Sequence, residues 1–182
     1  MMMAAREIEI FEHTKVLKIV AYLLSYPDKE WQQDFKAYKL AARELESDQQ
    51  KHVLEDFFAY VEETGSEEFE EQYVRSFEFS QNTNLYLTMQ ERTDFGKQAS
   101  EMQTLKGLFL ENGFDVTKEL PDYLPAILEL TAALPPQAAL KVLKTIQPKL
   151  ELIRSRLMEA KLPQVFLLDV VLTEMAGLEA MA

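Results

Sequence analysis

Residues 16–24, which read VLKIVAYLL, carry the pattern that predicts the fold of this chain. Their apolar members recur at i, i+1, i+3, i+4, i+7 and i+8, which forms one broad stripe along an α-helix. These members are Val16, Leu17, Ile19, Val20, Leu23 and Leu24. Thr14 caps that helix or lies within it, and Pro27 ends it.

The same helical spacing dominates the rest of the 182 residues, which contain only five glycines and no strong strand pattern. Short turns between such segments are typical of antiparallel helices. The sequence therefore predicts an all-α fold, in which residues 1–182 form one compact helical bundle and a single domain.

Capping residues predict where the next helices begin and end. Asp28 is a good N-cap for a second helix that runs to about Glu46. A third helix begins near Ser47 or Asp48 and ends at Gly65, and Ser66 then opens a fourth.

The second half of the chain leaves more alternatives open. Leu85-Tyr86-Leu87 has the composition of a short strand, but we favour a helix from there to Asn112, with a break near Gly96 as an alternative. Two further helices flank Pro148, which is either a new first residue or a kink. The last helix, 164–178, is apolar nearly all round, so we expect it to be buried centrally.

Two prolines four residues apart interrupt the helical pattern at residues 119–125. Pro121 and Pro125 cannot both lie comfortably inside a helix, and residues before proline avoid the α region. We therefore expect a rigid hinge loop between two helical halves, with a new helix that has Pro125 as its first residue.

The residue types that carry most catalytic and metal chemistry are scarce. The chain has no cysteine, which excludes disulfides, thiolate metal sites and a cysteine nucleophile. Its two histidines, His13 and His52, occur in no metal-binding motif. We predict no catalytic residue, no metal site and no enzymatic activity, with a carboxylate-based helical hydrolase as the alternative.

The net charge of −12 limits the partners of the chain. Nucleic acids and anionic membranes both attract cationic proteins, so neither is expected to bind. The sequence shows no secretory leader and no apolar stretch of membrane-spanning length, which favours a soluble cytoplasmic protein. Its acidity suits a basic partner, or alternatively serves solubility alone.

Acidic residues concentrate between Glu62 and Glu78, beside two aromatic residues one helical turn apart. Tyr73 and Phe77 either pack in the core or line a groove whose rim includes Glu70 and Glu71. Such a groove suits a peptide with apolar anchors and cationic ends. The alternative for the glutamates is a solvated helical face.

Asp169 lies in the most apolar helix, one turn before Thr173. A carboxylate buried there needs a partner, and the locally basic stretch 141–161 could supply a lysine or an arginine.

Four motifs together resemble one family of proteins. They are EQYVRSFE at 71–78, TNLYLT at 83–88, DFGKQA at 94–99 and ELPDYLP at 119–125. In order and spacing they resemble the delta-subunit (NarJ-type) assembly chaperones of respiratory nitrate reductase, which belong to the TorD-like redox-enzyme maturation family. The resemblance covers roughly residues 69–134.

The resemblance implies an all-helical protein that binds the N-terminal segment of the molybdenum-containing catalytic (alpha) subunit. Such a protein holds the apo-enzyme until molybdopterin guanine dinucleotide and an iron–sulfur cluster are inserted, before membrane docking. It binds no cofactor stably itself, and we expect a monomer or a weak dimer. A chaperone for a dimethyl sulfoxide or trimethylamine oxide reductase, and a plain helical scaffold, are the alternatives.

The resemblance also assigns candidate peptide-binding residues. Tyr73 and Phe77 match the family's Tyr-x-x-x-Phe/Leu helix. Glu119, Asp122 and Tyr123 match its Glu-Pro-x-Asp-His loop, although proline stands one place later here and tyrosine replaces histidine. Tyrosine does not titrate near neutral pH, which argues against a pH switch through this loop.

Overall fold

Eight α-helices form most of the part of the chain that the computed structural model describes, which is residues 11–91, 94–115 and 121–182. In chain order they are α1 (Glu12–Leu24), α2 (Lys29–Arg43), α3 (Asp48–Thr64), α4 (Ser66–Tyr73), α5 (Phe95–Glu111), α6 (Leu124–Ala132), α7 (Pro136–Glu159) and α8 (Val165–Met181). A π-helix, Val74–Glu78, continues α4, and a 3₁₀ turn, Leu87–Met89, precedes α5. The expectation of an all-α fold is confirmed.

The central helix of the bundle is α1, which packs against α2, α6 and α8. Every residue from Val16 to Leu24 is buried except Lys18, because three helices cover the stripe that the sequence shows. The expectation that the last helix lies at the centre is only partly met. Helix α8 packs against α1, α3 and α7, but Phe166 at its start is 57% exposed.

The predicted caps form as hydrogen bonds. The Asp28 side chain accepts from the backbone N–H of Trp31 at 2.8 Å, and Ser47 accepts from that of Gln50 at 3.3 Å. Gly65 separates α3 from α4 with a φ of 84°, a left-handed conformation in which a Cβ atom would be strained. These local signals predicted the starts of α2 and α3 and the boundary between α3 and α4 correctly, because each acts over only a few residues. The end of α2 lies at Arg43, before the expected Glu46.

The helix expected from about Leu85 is wrong, because this segment pairs with the loop that precedes α6. The N–H of Leu87 donates to the carbonyl of Asp122 at 2.8 Å, and the N–H of Leu124 donates to that of Leu85 at 2.9 Å. Tyr86 and Tyr123 form an isolated antiparallel bridge. The helix α5 begins only at Phe95, close to the break that was the alternative.

Pro148 and Pro125 have different positions in the helices of the second half of the chain. Pro148 lies inside α7, which runs unbroken, so the expectation of two helices flanking it is wrong. Pro125 lies in the first turn of α6, which begins one residue earlier than expected, at Leu124. A proline in the first turn costs no hydrogen bond, because the N–H groups there have no intrahelical acceptor.

Candidate functional site

Tyr73 and Phe77 lie in the core. Of the two alternatives, packing in the core or lining a groove, the first is therefore correct. They are 3% and 5% exposed, and their ring centroids are 4.9 Å apart. The hydroxyl of Tyr73 donates to the carbonyl of Leu24 at 2.8 Å and lies 3.0 Å from the hydroxyl of Tyr123. Burial raises the pKa of Tyr73 far above its ordinary value, so this group stays protonated. A direct role of either ring in peptide binding stays a prediction.

The loop before α6 is packed inward rather than open. Asp122 is 1% exposed, and its Oδ2 accepts from the Thr88 hydroxyl at 2.5 Å. Pro121 and Pro125 are both buried. These contacts hold the loop against residues 85–88, while its role as a hinge stays a prediction.

Two other residues of this loop were predicted to bind peptide. Tyr123 is half-buried, with its ring 5.1 Å from that of Tyr86. Glu119 lies outside the described residues. The described part of the loop, residues 121–125, therefore contributes mainly buried groups, and its peptide-binding role stays a prediction.

Glu70 and Glu71 lie on a surface where three shallow grooves adjoin. The first groove, of about 410 Å³, lies between the turn at Tyr26 and the start of α4 and includes Glu67 and Glu70. The second, of about 340 Å³, contains Glu70, Glu71 and Phe79. Glu70 therefore belongs to both grooves, and it accepts a hydrogen bond from the Tyr26 hydroxyl.

The third groove is the largest, at about 910 Å³, and it shares Phe79 with the second. Its lining includes Glu78, Tyr86, Met89, Gln90 and Arg156. We call the three grooves together the acidic–apolar surface. Its carboxylates are Asp28, Glu67, Glu70, Glu71, Glu78 and Glu91. Its most exposed apolar side chains are Phe79 and Met89, which are 81% and 59% exposed.

Phe79 is an exposed aromatic residue of this surface that the sequence did not single out. It follows the π-helix directly, and its N–H donates to the carbonyl of Val74 at 3.1 Å. Single π turns in helices occur frequently at functional sites. Residues two apart point to different sides of a helix, so Phe77 and Phe79 cannot share one buried face. The two-residue spacing of these phenylalanines was therefore the feature of the sequence that could have predicted the exposure of Phe79.

The charges of this surface are largely uncompensated among the described residues. Glu67, Glu71 and Glu78 are exposed and make no ion pair there, whereas Arg75 pairs with Glu68 at 3.5 Å. An excess of carboxylates around exposed apolar side chains favours cationic, amphipathic ligands.

Glu91, at the edge of the third groove, is neutralised by two lysines. Lys149 lies 3.3 Å and Lys97 lies 3.4 Å from its carboxylate. The adjacent ammonium of Lys149 is the main reason that the pKa of Glu91 is lowered. Lys149 also pairs with Glu101 of α5 at 3.3 Å, so this cluster connects α5 to α7.

Asp169 has the kind of partner expected but not the expected burial. Arg154 donates to its carboxylate, and this hydrogen bond raises the pKa of the arginine. The side chains are 33% and 41% exposed, so the expectation of a buried carboxylate is wrong. The residue lies on the solvent side of α8, because only part of that helix faces the core.

The described residues form neither a metal site nor a membrane-spanning helix. No group of three or more metal-ligating side chains is arranged to hold a metal ion in residues 11–91, 94–115 and 121–182. Within those same ranges, no helix has the length and apolar character required to cross a membrane.

Comparison with known proteins matches the chain to one family. The family model described as nitrate reductase delta subunit matches residues 40–163. The chain is 35% identical over 136 residues to the probable nitrate reductase molybdenum cofactor assembly chaperone NarJ of Bacillus subtilis (strain 168), a match that covers 74% of either chain.

Two relatives from Escherichia coli (strain K12) extend this similarity. The nitrate reductase molybdenum cofactor assembly chaperone NarJ is 30% identical over 159 residues, which cover 86% of this chain and 67% of the relative. The probable nitrate reductase molybdenum cofactor assembly chaperone NarW is 27% identical over 165 residues, which cover 90% and 68%. These matches extend well beyond the stretch in which the four motifs lie.

Proposed function

The chain belongs to the nitrate reductase delta-subunit family, and on that premise we propose that it is an assembly chaperone for respiratory nitrate reductase. Its proposed action is to bind the N-terminal segment of the apo catalytic (alpha) subunit. It then holds that subunit competent for insertion of molybdopterin guanine dinucleotide and an iron–sulfur cluster, and membrane docking follows.

The relatives described above are named as assembly chaperones, which confirms the expectation that the chain is not an enzyme. In our proposal the cofactor belongs to the client, and the chaperone holds none stably. The protein acts in the cytoplasm as a monomer or a weak dimer, and it binds neither nucleic acid nor membrane. Residues 1–182 act as one domain.

The acidic–apolar surface is the observation that carries this proposal for the present chain. A basic, amphipathic client segment would bring apolar side chains to Phe79 and Met89 and cationic side chains to Glu70, Glu71 and Glu78. In protein interfaces apolar anchors supply most of the affinity, while charges at the rim mainly raise the association rate and specificity.

The other candidate residues support this surface from behind. Tyr73 directly precedes the π-helix and Phe77 lies within it, and both are buried, so they fix the position of Phe79. Asp122 and Tyr123 hold the segment around Tyr86, which lines the third groove. We propose that these residues act by positioning, with Pro121 and Pro125 stiffening the loop.

The proposal is tested with a synthetic peptide of the catalytic subunit's N-terminal segment from the same organism. Isothermal titration calorimetry is expected to detect binding to the wild-type chain, and the absence of binding would refute the proposal. Phe79→Ser is expected to weaken affinity by about tenfold or more, because a hot-spot aromatic contributes roughly 2 kcal/mol. Since Phe79 is 81% exposed, its loss should leave stability nearly unchanged.

The contribution of charge is tested through association rates. Glu70→Lys combined with Glu71→Lys is expected to slow association by about tenfold at low salt, and the difference should fade as salt screens the charges. Glu44→Lys combined with Glu46→Lys makes the same change in charge. This control lies beyond the far end of α2, a helix about 22 Å long whose start borders the first groove. Equal slowing by both pairs would remove the acidic cluster from the mechanism.

A further inference from the structure

The third groove of the acidic–apolar surface contains an arginine that no carboxylate neutralises. Nη1 of Arg156 donates to Oε1 of Gln90 at 2.8 Å. Among the described residues, no carboxylate oxygen lies within 4.0 Å of its guanidinium, whereas Arg154, two residues earlier, pairs with Asp169. Arg156 is therefore held in place by a neutral amide, and its guanidinium has no carboxylate partner among the described residues.

The orientation of that amide is fixed by the surrounding protein. Gln90 is only 3% exposed, and its Nε2 donates to the backbone carbonyls of Asn84 and Tyr86 at 3.0 and 2.9 Å. It also lies 3.0 Å from Oδ1 of Asn84. Only the amide nitrogen can donate to these acceptors, so the carbonyl oxygen has to face Arg156. The arginine is thus positioned before any ligand arrives.

The chemistry of an arginine held in this way defines its ligand. The guanidinium carries five N–H donors in a planar fork, and the bond to Gln90 uses one of them. The remaining donors match a carboxylate, which can bind the fork through two parallel hydrogen bonds. At the same groove, Glu91 is already paired with Lys97 and Lys149 and does not compete for Arg156.

We propose that Arg156 binds a carboxylate of the client segment. The inference rests on the proposed function, and it adds that the third groove recognises an acidic side chain of the client. Cationic side chains of the client face Glu70 and Glu71 in the second groove, whereas an acidic side chain faces Arg156 in the third groove, and Phe79 borders both grooves. Opposite charges in two grooves that share one apolar anchor fix the direction in which the segment binds.

The test is a cycle of substitutions in the two partners, measured by calorimetry with the full chain. Arg156→Gln is expected to weaken binding of the N-terminal peptide by about tenfold, as loss of a charge-assisted hydrogen bond does. A peptide whose aspartates and glutamates are replaced by asparagine and glutamine should lose a similar factor with the wild-type chain. It should lose nothing further with Arg156→Gln, because the two changes remove the same contact.

Two variants serve as controls for charge and geometry. Arg154→Gln removes the same charge two residues away and is expected to leave affinity within about twofold, because Asp169 neutralises that arginine. Arg156→Lys keeps the charge but lacks the fork, so its affinity should lie between those of the wild type and Arg156→Gln. Circular dichroism melts verify that every variant is folded.

Each possible result either supports or overturns the inference about Arg156. If the peptide binds and Arg156→Gln has no effect, or if its effect is additive with that of the amidated peptide, the inference fails while the proposed function stands. Competition by inorganic pyrophosphate that is lost in Arg156→Gln would assign the arginine to a phosphate and would also overturn it. If the wild-type chain does not bind the peptide at all, the proposed function fails and this inference falls with it.

Discussion

The hydroxyl oxygens of Tyr73 and Tyr123 lie 3.0 Å apart, and that of Tyr73 also donates to the carbonyl of Leu24 at 2.8 Å. One buried side chain therefore joins the end of α4, the end of α1 and the loop before α6. Because that loop in turn pairs with residues 85–87, this contact connects the core to the walls of the third groove.

Removal of this hydroxyl should destabilise the fold. Tyr73→Phe keeps the ring but leaves the buried carbonyl of Leu24 without this donor, which costs about 1–3 kcal/mol in the free energy of unfolding. Urea denaturation measures the change. Tyr60→Phe is the matched control, because Tyr60 is only half-buried and bonds to the side chain of Gln72. An equal loss in both variants would contradict the special role of Tyr73.

The same residue should limit stability at high pH. Burial raises the pKa of Tyr73 above its ordinary value of 10.0, so its contribution to stability is fully present below pH 10. Above pH 10 that contribution is lost, because the unfolded chain ionises while the folded chain does not. Tyr73→Phe should therefore show a shallower loss of stability above pH 10 than the wild type.

Two glycine-to-alanine substitutions should change the stability of the fold in opposite directions. Gly65 has a φ of 84°, so Gly65→Ala is expected to cost about 1–2 kcal/mol through strain alone, since no atom lies within 4 Å of the added Cβ. Gly177 lies inside α8 with equally open space, so Gly177→Ala is expected to gain about 0.5–1 kcal/mol. Thermal melts compare the two, and a shift in the same direction would contradict the assigned conformations.

Lys149, which pairs with two carboxylates, should stabilise α5 against local unfolding. Lys149→Met removes the contacts to Glu91 and Glu101 and is expected to speed amide exchange in Phe95–Glu111 by up to about fivefold. Lys144→Met is the control, because Lys144 pairs with Glu179 of α8 instead. Exchange in α5 should be unchanged in that variant.

The pH dependence of this effect follows from Glu91. The ion pair with Lys149 lowers the pKa of Glu91 below its ordinary value of 4.5. Its contribution to stability is therefore present above pH 4.5 and is lost as the pH falls through the lowered pKa. The difference in α5 exchange between wild type and Lys149→Met should shrink over that acidic range. A difference that stays constant would contradict the assignment.

A half-buried carboxylate should make the wild type less stable at neutral pH than its amide variant. Burial raises the pKa of Glu174 above 4.5, although Gln50 donates to it at 3.0 Å. A raised pKa means that stability is full below pH 4.5 and is lost as the pH rises through the folded value. Glu174→Gln should therefore raise the free energy of unfolding at pH 7 and lose that advantage near pH 4. Glu179→Gln, at an exposed ion pair, should show no gain.

Signals that act over a few residues allowed much of the fold to be predicted. The stripe of α1, the caps at Asp28 and Ser47, and the glycine after α3 are all where the sequence placed them. The segment from Leu85 was mispredicted because its backbone pairs with residues 122–124, a contact across more than 30 positions that no local pattern reveals. In the candidate site, Glu70 and Glu71 were found from charge clustering, but Phe79 was missed.

The sequence by itself determined the all-α class, the acidity and the family motifs, since composition and spacing depend only on the order of residues. Tertiary structure alone decided which aromatic residues around the π-helix meet water. It buries Tyr73 and Phe77, which the motifs singled out, and it exposes Phe79 through a π turn. It also brings Arg156 of α7 against Gln90, 66 residues away in the chain, because both border one groove.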